Sequence, residues 1–151
     1  MADKKHITIL LADDDKDDRF FFTKALKKLP LNATLVTLED GEMLLNYLSE
    51  KQDNFPDILF LDVNMPCKNG LECLTEIKAN KKITDFPIII YSTALSEPVA
   101  DVFYQEGAHS YLKKCEFNTL VQCLNSILTK LENGDFIKEA REHFIFSLDR
   151  Q

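Results

Sequence analysis

Five short apolar segments recur along the chain, and a stretch with helical spacing follows each one. The segments are His6–Ala12 (H-I-T-I-L-L-A), Ala33–Leu38 (A-T-L-V-T-L), Asp57–Leu61 (D-I-L-F-L), Pro87–Tyr91 (P-I-I-I-Y) and Ser110–Lys113 (S-Y-L-K). The first, third and fourth are apolar at nearly every position, which is the pattern of a strand buried on both faces. After them come Asp15–Leu29, Gly41–Glu50, Gly70–Asn80, Ser96–Glu106 and Glu116–Leu131. In the last of these, Phe117, Leu120, Val121, Leu124, Ile127, Leu128 and Leu131 fall on one helical face. Strands that alternate with helices pair in parallel, because the helix carries the chain back across the sheet. The expected fold is therefore α/β: a doubly wound, five-stranded parallel sheet built as (βα)5.

Composition narrows the function classes. A chain of 151 residues, 45% hydrophobic, can bury a single core. A net charge of −7 excludes non-specific nucleic-acid binding, which needs cations against phosphates. No run approaches the roughly 18 apolar residues of a spanning helix. The start, M-A-D-K-K-H, is not a secretory signal, so the cytoplasm is the expected location. Cys67, Cys73, Cys115 and Cys123 form no C-x-x-C pair, so reduced thiols are expected, with Cys73 and Cys123 buried on helices.

In an open parallel sheet, ligands sit beyond the carboxyl ends of the strands. Asp13 and Asp14 follow the first segment, Asp62 the third, Ser92 and Thr93 the fourth, and Lys113 and Lys114 the fifth. Three gathered carboxylates raise one another's pKa. A hard divalent cation relieves this, and Mg2+ needs only a few oxygen ligands beside its waters. Asp15 suits a helix N-cap, and Asp17 and Asp18 suit the helix dipole and solvation. A calcium loop from Asp13 fails, with Asp18 where glycine is needed and Lys24 where glutamate is needed. The run Phe20-Phe21-Phe22 is wider than one helical face, so one ring is expected outside the core. His6, His109 and His143 lack partners at ligand spacing and read as surface or structural residues.

I-L-L-A-D-D-D, D-I-L-F-L-D-V-N-M-P-C-K-N-G, P-I-I-I-Y-S-T-A and G-A-H-S-Y-L-K-K occur in order, one per expected strand. Together they resemble the receiver domain of two-component response regulators, over roughly residues 5–131. The resemblance implies a flavodoxin-like strand order, 2-1-3-4-5. It implies Asp62 as phosphoacceptor, and Mg2+ held by Asp14, Asp62 and the carbonyl of Asn64, with Asp13 acting through a water. It implies Ser92 as the hydroxyl that follows the phosphoryl group, Lys114 as the family's lysine and Tyr111 as an aromatic switch. The implied partners are a sensor histidine kinase or histidine phosphotransfer protein and a downstream protein target, without DNA or membrane insertion. The readout face, and a possible homodimer contact, would be the helix Ser96–Glu106, the strand around Tyr111 and the helix Glu116–Leu131. No activity is implied beyond the protein's own phosphorylation and dephosphorylation.

The spacing alone leaves Ser92 against Thr93 and Lys113 against Lys114, and Tyr111 also reads as an ordinary strand aromatic. Cys115 stands where the family has proline, so a trans Lys114–Cys115 bond is expected. In the family, the positions of Asn64 and Ala94 tune how water reaches the phosphoaspartate. Residues 132–151 form an extension, with Ile137, Ala140, Phe144 and Leu148 at near-helical spacing. That extension is expected to be partly helical and to dock, and it leaves no room for a DNA-binding domain. Two rivals remain at this stage. A metal-dependent aspartyl phosphatase would want D-x-D after the first strand, whereas here Asn64 completes that spacing after the third. A degenerate receiver would bind partners without phosphorylation, and the complete set of acids, hydroxyl and lysine argues against it. A terminal regulator and a phosphorelay intermediate would share the same chemistry at Asp62.

Overall fold

The structure is a computed structural model, and it describes residues 5–51 and 54–150. Its strands are Ile7–Ala12 (β1), Ala33–Leu38 (β2), Ile58–Leu61 (β3), Ile88–Ser92 (β4) and Ser110–Lys113 (β5). Its helices are Lys16–Lys27 (α1), Gly41–Ser49 (α2), Gly70–Ala79 (α3), Glu97–Gln105 (α4) and Phe117–Glu132 (α5). All pairings are parallel and the order is β2-β1-β3-β4-β5. One boundary matters for function: Ser92 is the last residue of β4 rather than the first of the loop.

Side-chain alternation divides the core in two. Ile7, Ile9 and Leu11 of β1 point to one face, with Phe22 of α1 and Leu120, Leu124, Ile127 and Leu128 of α5. Leu10 and Ala12 point to the other, with Leu44 of α2, Leu74 of α3 and Phe103 of α4. Both faces of the central strands are therefore dry, as their uniformly apolar sequences require. The phenylalanine run follows the same geometry. Phe22 is fully buried, whereas Phe20 is 65% exposed and carries Lys24 over its ring.

Local signals set the helix ends. Asp15 caps α1 by accepting from the amides of Asp17 and Asp18. Asn69 and Glu72 form a capping box at the start of α3. Gly107, just past α4, has φ +107°, a conformation that glycine enters without steric cost. No cis peptide bond occurs among the described residues, so the Lys114–Cys115 bond is trans.

The extension departs from its helical spacing. It forms two short 3-10 turns, Arg141–His143 and Leu148–Arg150, and Ile145 makes a parallel bridge to Tyr111 on the free edge of β5. Tyr111 N donates to Phe144 O at 2.9 Å, and Phe146 N donates to Tyr111 O at 2.8 Å. The physical reason is competition for backbone groups. An isolated helix of this length is marginal, whereas an edge strand offers unpaired N–H and C=O groups. Phe144 then enters the core beside Phe103 and Tyr111, 1% exposed, with its ring edge-on to Tyr104.

Phe144→Ala is expected to cost about 3–5 kcal/mol in chemical denaturation, through lost burial and the cavity left under the extension. A loss below about 1 kcal/mol would show that the ring is not packed as described.

Candidate functional site

The last residue of β4 and the residues just past β1, β3 and β5 meet along one edge of the sheet, and the ladder holds them there. Asp13 N donates to Leu38 O at 3.0 Å, and Asp62 N donates to Ala12 O at 2.9 Å. Lys114 N donates to Ser92 O at 2.8 Å. Each of these amides extends a pairing by one residue, so the side chains leave from fixed backbone. Gly70 tightens the arrangement from α3. A Cβ there would sit 2.4 Å from the carbonyl oxygen of Asp62, so only glycine lets the helix start close over β3.

Asp13 and Asp62 are buried, and Asp14 is exposed. One carboxylate oxygen from each lies within 4.8 Å of the others. Lys114 Nζ stands over this group. It donates to Asp18 Oδ2 at 2.8 Å, lies 2.9 Å from Asp13 Oδ2 and is 3.7 Å from Asp62 Oδ2. The approach to Asp13 is an ion pair set off the line of a hydrogen bond, so Asp13 Oδ2 is buried without a hydrogen-bond donor. The ammonium also lies 5.3 Å from the ring centre of Tyr91.

Burial first, and then the charge of Asp13, push the Asp62 carboxyl up to about 7. Burial likewise raises Asp13, against the pull of Lys114. Burial would lower the Lys114 pKa, but hydrogen bonding to Asp18 and the nearness of Asp13 outweigh it and hold it above the ordinary lysine value. One ammonium therefore does not balance the gathered acids. Their donor set is all carboxylate oxygen, with two of the three acids buried, which suits a hard divalent cation that brings its own waters.

The geometry separates the pairs that spacing leaves open. Ser92 is 3% exposed at the end of β4, whereas Thr93 is exposed. Lys114 reaches the acids, whereas Lys113 points to solvent. Tyr111 is buried, and its hydroxyl donates to the carbonyl of Thr93. Asn64 lies two residues past Asp62 in the loop to α3, with an exposed side chain. Asp18 requires a correction. Expected to serve the helix dipole and solvent, it is instead the hydrogen-bond acceptor of Lys114, 96 positions away. Arg19 was also not singled out. Its Nη1 donates to the carbonyl of Asp13 at 2.9 Å, fixing the turn out of β1. A local reading could place both on the first turns of α1, but not against a lysine from β5.

Unfolding returns Asp62 to its ordinary value of 3.8, so the folded, metal-free chain binds more protons there between that pH and about 7. Its contribution to stability therefore falls as pH rises through this window. Asp62→Asn is expected to stabilise the metal-free protein at pH 8 by about 1–2 kcal/mol, and by much less at pH 4. Urea titrations at the two pH values check this, and an equal effect at both would contradict it.

Residues 9–125 match the family described as response regulator receiver domain. Response regulator Rcp1 of Synechocystis sp. is 30% identical over 110 residues, covering 70% of this chain and 75% of that protein. The crystal structure of the Mn(2+)-bound form of Rcp1 aligns with a TM-score of 0.72 at 27% identity, over 82% of this chain and 92% of that one. The phosphorylated cyanobacterial phytochrome response regulator RcpA aligns at 0.78 with 26% identity, over 89% of this chain and 100% of that one. The matched residues span β1 to α5 and contain the acids, the hydroxyl and the lysine of the site. This chain belongs to the response regulator receiver domain family of two-component systems.

Proposed function

We propose that Asp62 accepts a phosphoryl group from a histidine kinase or a histidine phosphotransfer protein, in the presence of Mg2+ held by Asp14, Asp62 and the carbonyl of Asn64, with Asp13 acting through a water. Residues 5–131 are the receiver in this reading, and residues 132–151 are its extension. The observation that carries it is the gathering of a buried Asp62 with two further acids and the Lys114 ammonium. The phosphorylated state of RcpA and the Mn(2+) form of Rcp1 are states of those relatives, and the acid cluster here has a donor set suited to a cation of the same kind.

The chain's own residues divide the work. Asp62 attacks as a carboxylate, so it must shed the proton that burial and Asp13 encourage it to keep near pH 7. Lys114, 3.7 Å away, offsets negative charge as the phosphoryl group arrives. A divalent cation, when bound by these acids, would neutralise charge on both the acceptor and the incoming group. One oxygen of Asp62 forms the new bond to phosphorus as the bond to the donor histidine nitrogen breaks, and the nitrogen keeps the electron pair. Ser92 then donates to the phosphoryl oxygens from the end of β4. Ala94 is small and exposed, which leaves the approach of water to the phosphoaspartate open.

The proposed readout is a protein surface: α4, the Tyr111 region and α5. A homodimer through that face would bury the extension as part of the contact. The cytoplasm is the proposed location, a reading supported by four free cysteines.

Intact mass after incubation with a small-molecule phosphodonor tests the reading. The wild type with Mg2+ is expected to gain one phosphoryl group. Asp62→Asn, and wild type with a chelator, are expected to gain none. A gain in Asp62→Asn, or one indifferent to the metal, would contradict it.

A further inference from the structure

The extension covers the face through which the reading above has the protein signal. Arg141 ties it to the start of α4: Nε donates to Asp101 Oδ1 at 2.6 Å, and Nη2 donates to Glu97 Oε2 at 2.9 Å. Lys138 Nζ donates to the carbonyl of Tyr104 at 2.8 Å and lies over that ring, and the Tyr104 hydroxyl donates to the carbonyl of Glu139 at 2.9 Å. On β5, Ser110 Oγ and Tyr111 N both donate to Phe144 O, and Phe146 N donates to Tyr111 O. Beyond the bridge, Phe146 and Leu148 line a cleft with Cys115, Thr119 and Cys123 at the start of α5. The segment is therefore stapled to three elements at once.

Those elements are not equally fixed. The strand β5 is hydrogen-bonded to β4 along its length, and α5 packs across α1. By contrast, α4 has no strand ladder and meets the core through Ala100 and Phe103, and its first turn follows the loop Thr93–Leu95 directly after Ser92. Tyr111 links the two. Its hydroxyl donates to Thr93 O in that loop, while its backbone N and O hold the extension. A phosphoryl group on Asp62 draws Ser92 toward it and so pulls the loop and the first turn of α4. Glu97 and Asp101, the partners of Arg141, lie in the first turns of α4. The Phe144 backbone stays with β5. Relative motion of α4 and β5 therefore strains a segment bound to both.

We propose that residues 135–149 are a built-in occupant of the α4–β5–α5 face, and that phosphorylation of Asp62 loosens them. The proposal rests on Asp62 being phosphorylated. Coupling runs both ways, so a weakened extension also favours the phosphorylated state. The burial of Phe144 keeps the segment in place in the unmodified protein.

Hydrogen exchange on the full chain tests this, read at the amides of Tyr111 and Phe146, with intact mass recorded on the same samples. When the mass shows one phosphoryl group on the wild type, exchange at these two amides is expected to rise by about tenfold, with β1 amides unchanged. Arg141→Ala, a half-buried ion-pair residue outside the phosphorylation site, is expected to raise exchange at both amides in the unmodified protein and to shrink the further rise on phosphorylation. A phosphorylated wild type with unchanged exchange at both amides would overturn the coupling and leave the phosphoacceptor reading standing. An undiminished rise on phosphorylation in Arg141→Ala would also overturn it. No phosphoryl gain at all would overturn both readings, and the mass record separates that case from the others.

Discussion

Two buried carboxylates, Asp13 and Asp62, share one ammonium at the edge of a dry sheet. Much of the local structure answers to that constraint. The backbone of each acid is pinned by one further ladder hydrogen bond, so neither can withdraw from the other. Lys114 is held by three acids and donates its hydrogen bond to Asp18, leaving Asp62 the most distant of the three. Burial, and then the charge of Asp13, keep the Asp62 carboxyl near 7 against the pull of Lys114. In the proposed reaction such a carboxylate would be a poor nucleophile until more positive charge arrives, which is why the proposal includes a cation.

The fold was largely legible because each level of the sequence agrees with the next. Uniformly apolar strands demand cover on both faces, and the helical stretches between them supply it. The strand ends were legible for the same reason, since a parallel sheet places its polar C-terminal residues on one edge. Spacing could not separate Ser92 from Thr93 or Lys113 from Lys114, and the family motif favoured the residue that the structure buries or turns inward. Asp18 was misread because its partner is distant in sequence. A helix-start aspartate looks like dipole compensation until the strand order puts Lys114, the residue after β5, above it.

The extension docks, as expected, but along a strand edge and through 3-10 turns rather than as an α-helix. Its apolar spacing is compatible with a helix, but periodicity says nothing about a free strand edge nearby. Ser110–Lys113 is an edge strand, and Tyr111 exposes the backbone groups that Phe144 and Phe146 occupy. Phe144 then fills a core position that a helix on the surface would not reach. The same residue, Tyr111, meets the loop after β4 through its side chain and the extension through its backbone. The site and the C-terminal segment thus share one strand residue.

Calorimetric titration with Mg2+ at pH 7, in two buffers of different ionisation enthalpy, tests the central electrostatic claim most directly. The expected result is one saturable site in the wild type, with release of roughly half a proton as Asp62 gives up its share, and no such release in Asp62→Asn. The absence of saturable binding in the wild type, or equal proton release in Asp62→Asn, would contradict the claim that these acids are gathered to hold a cation.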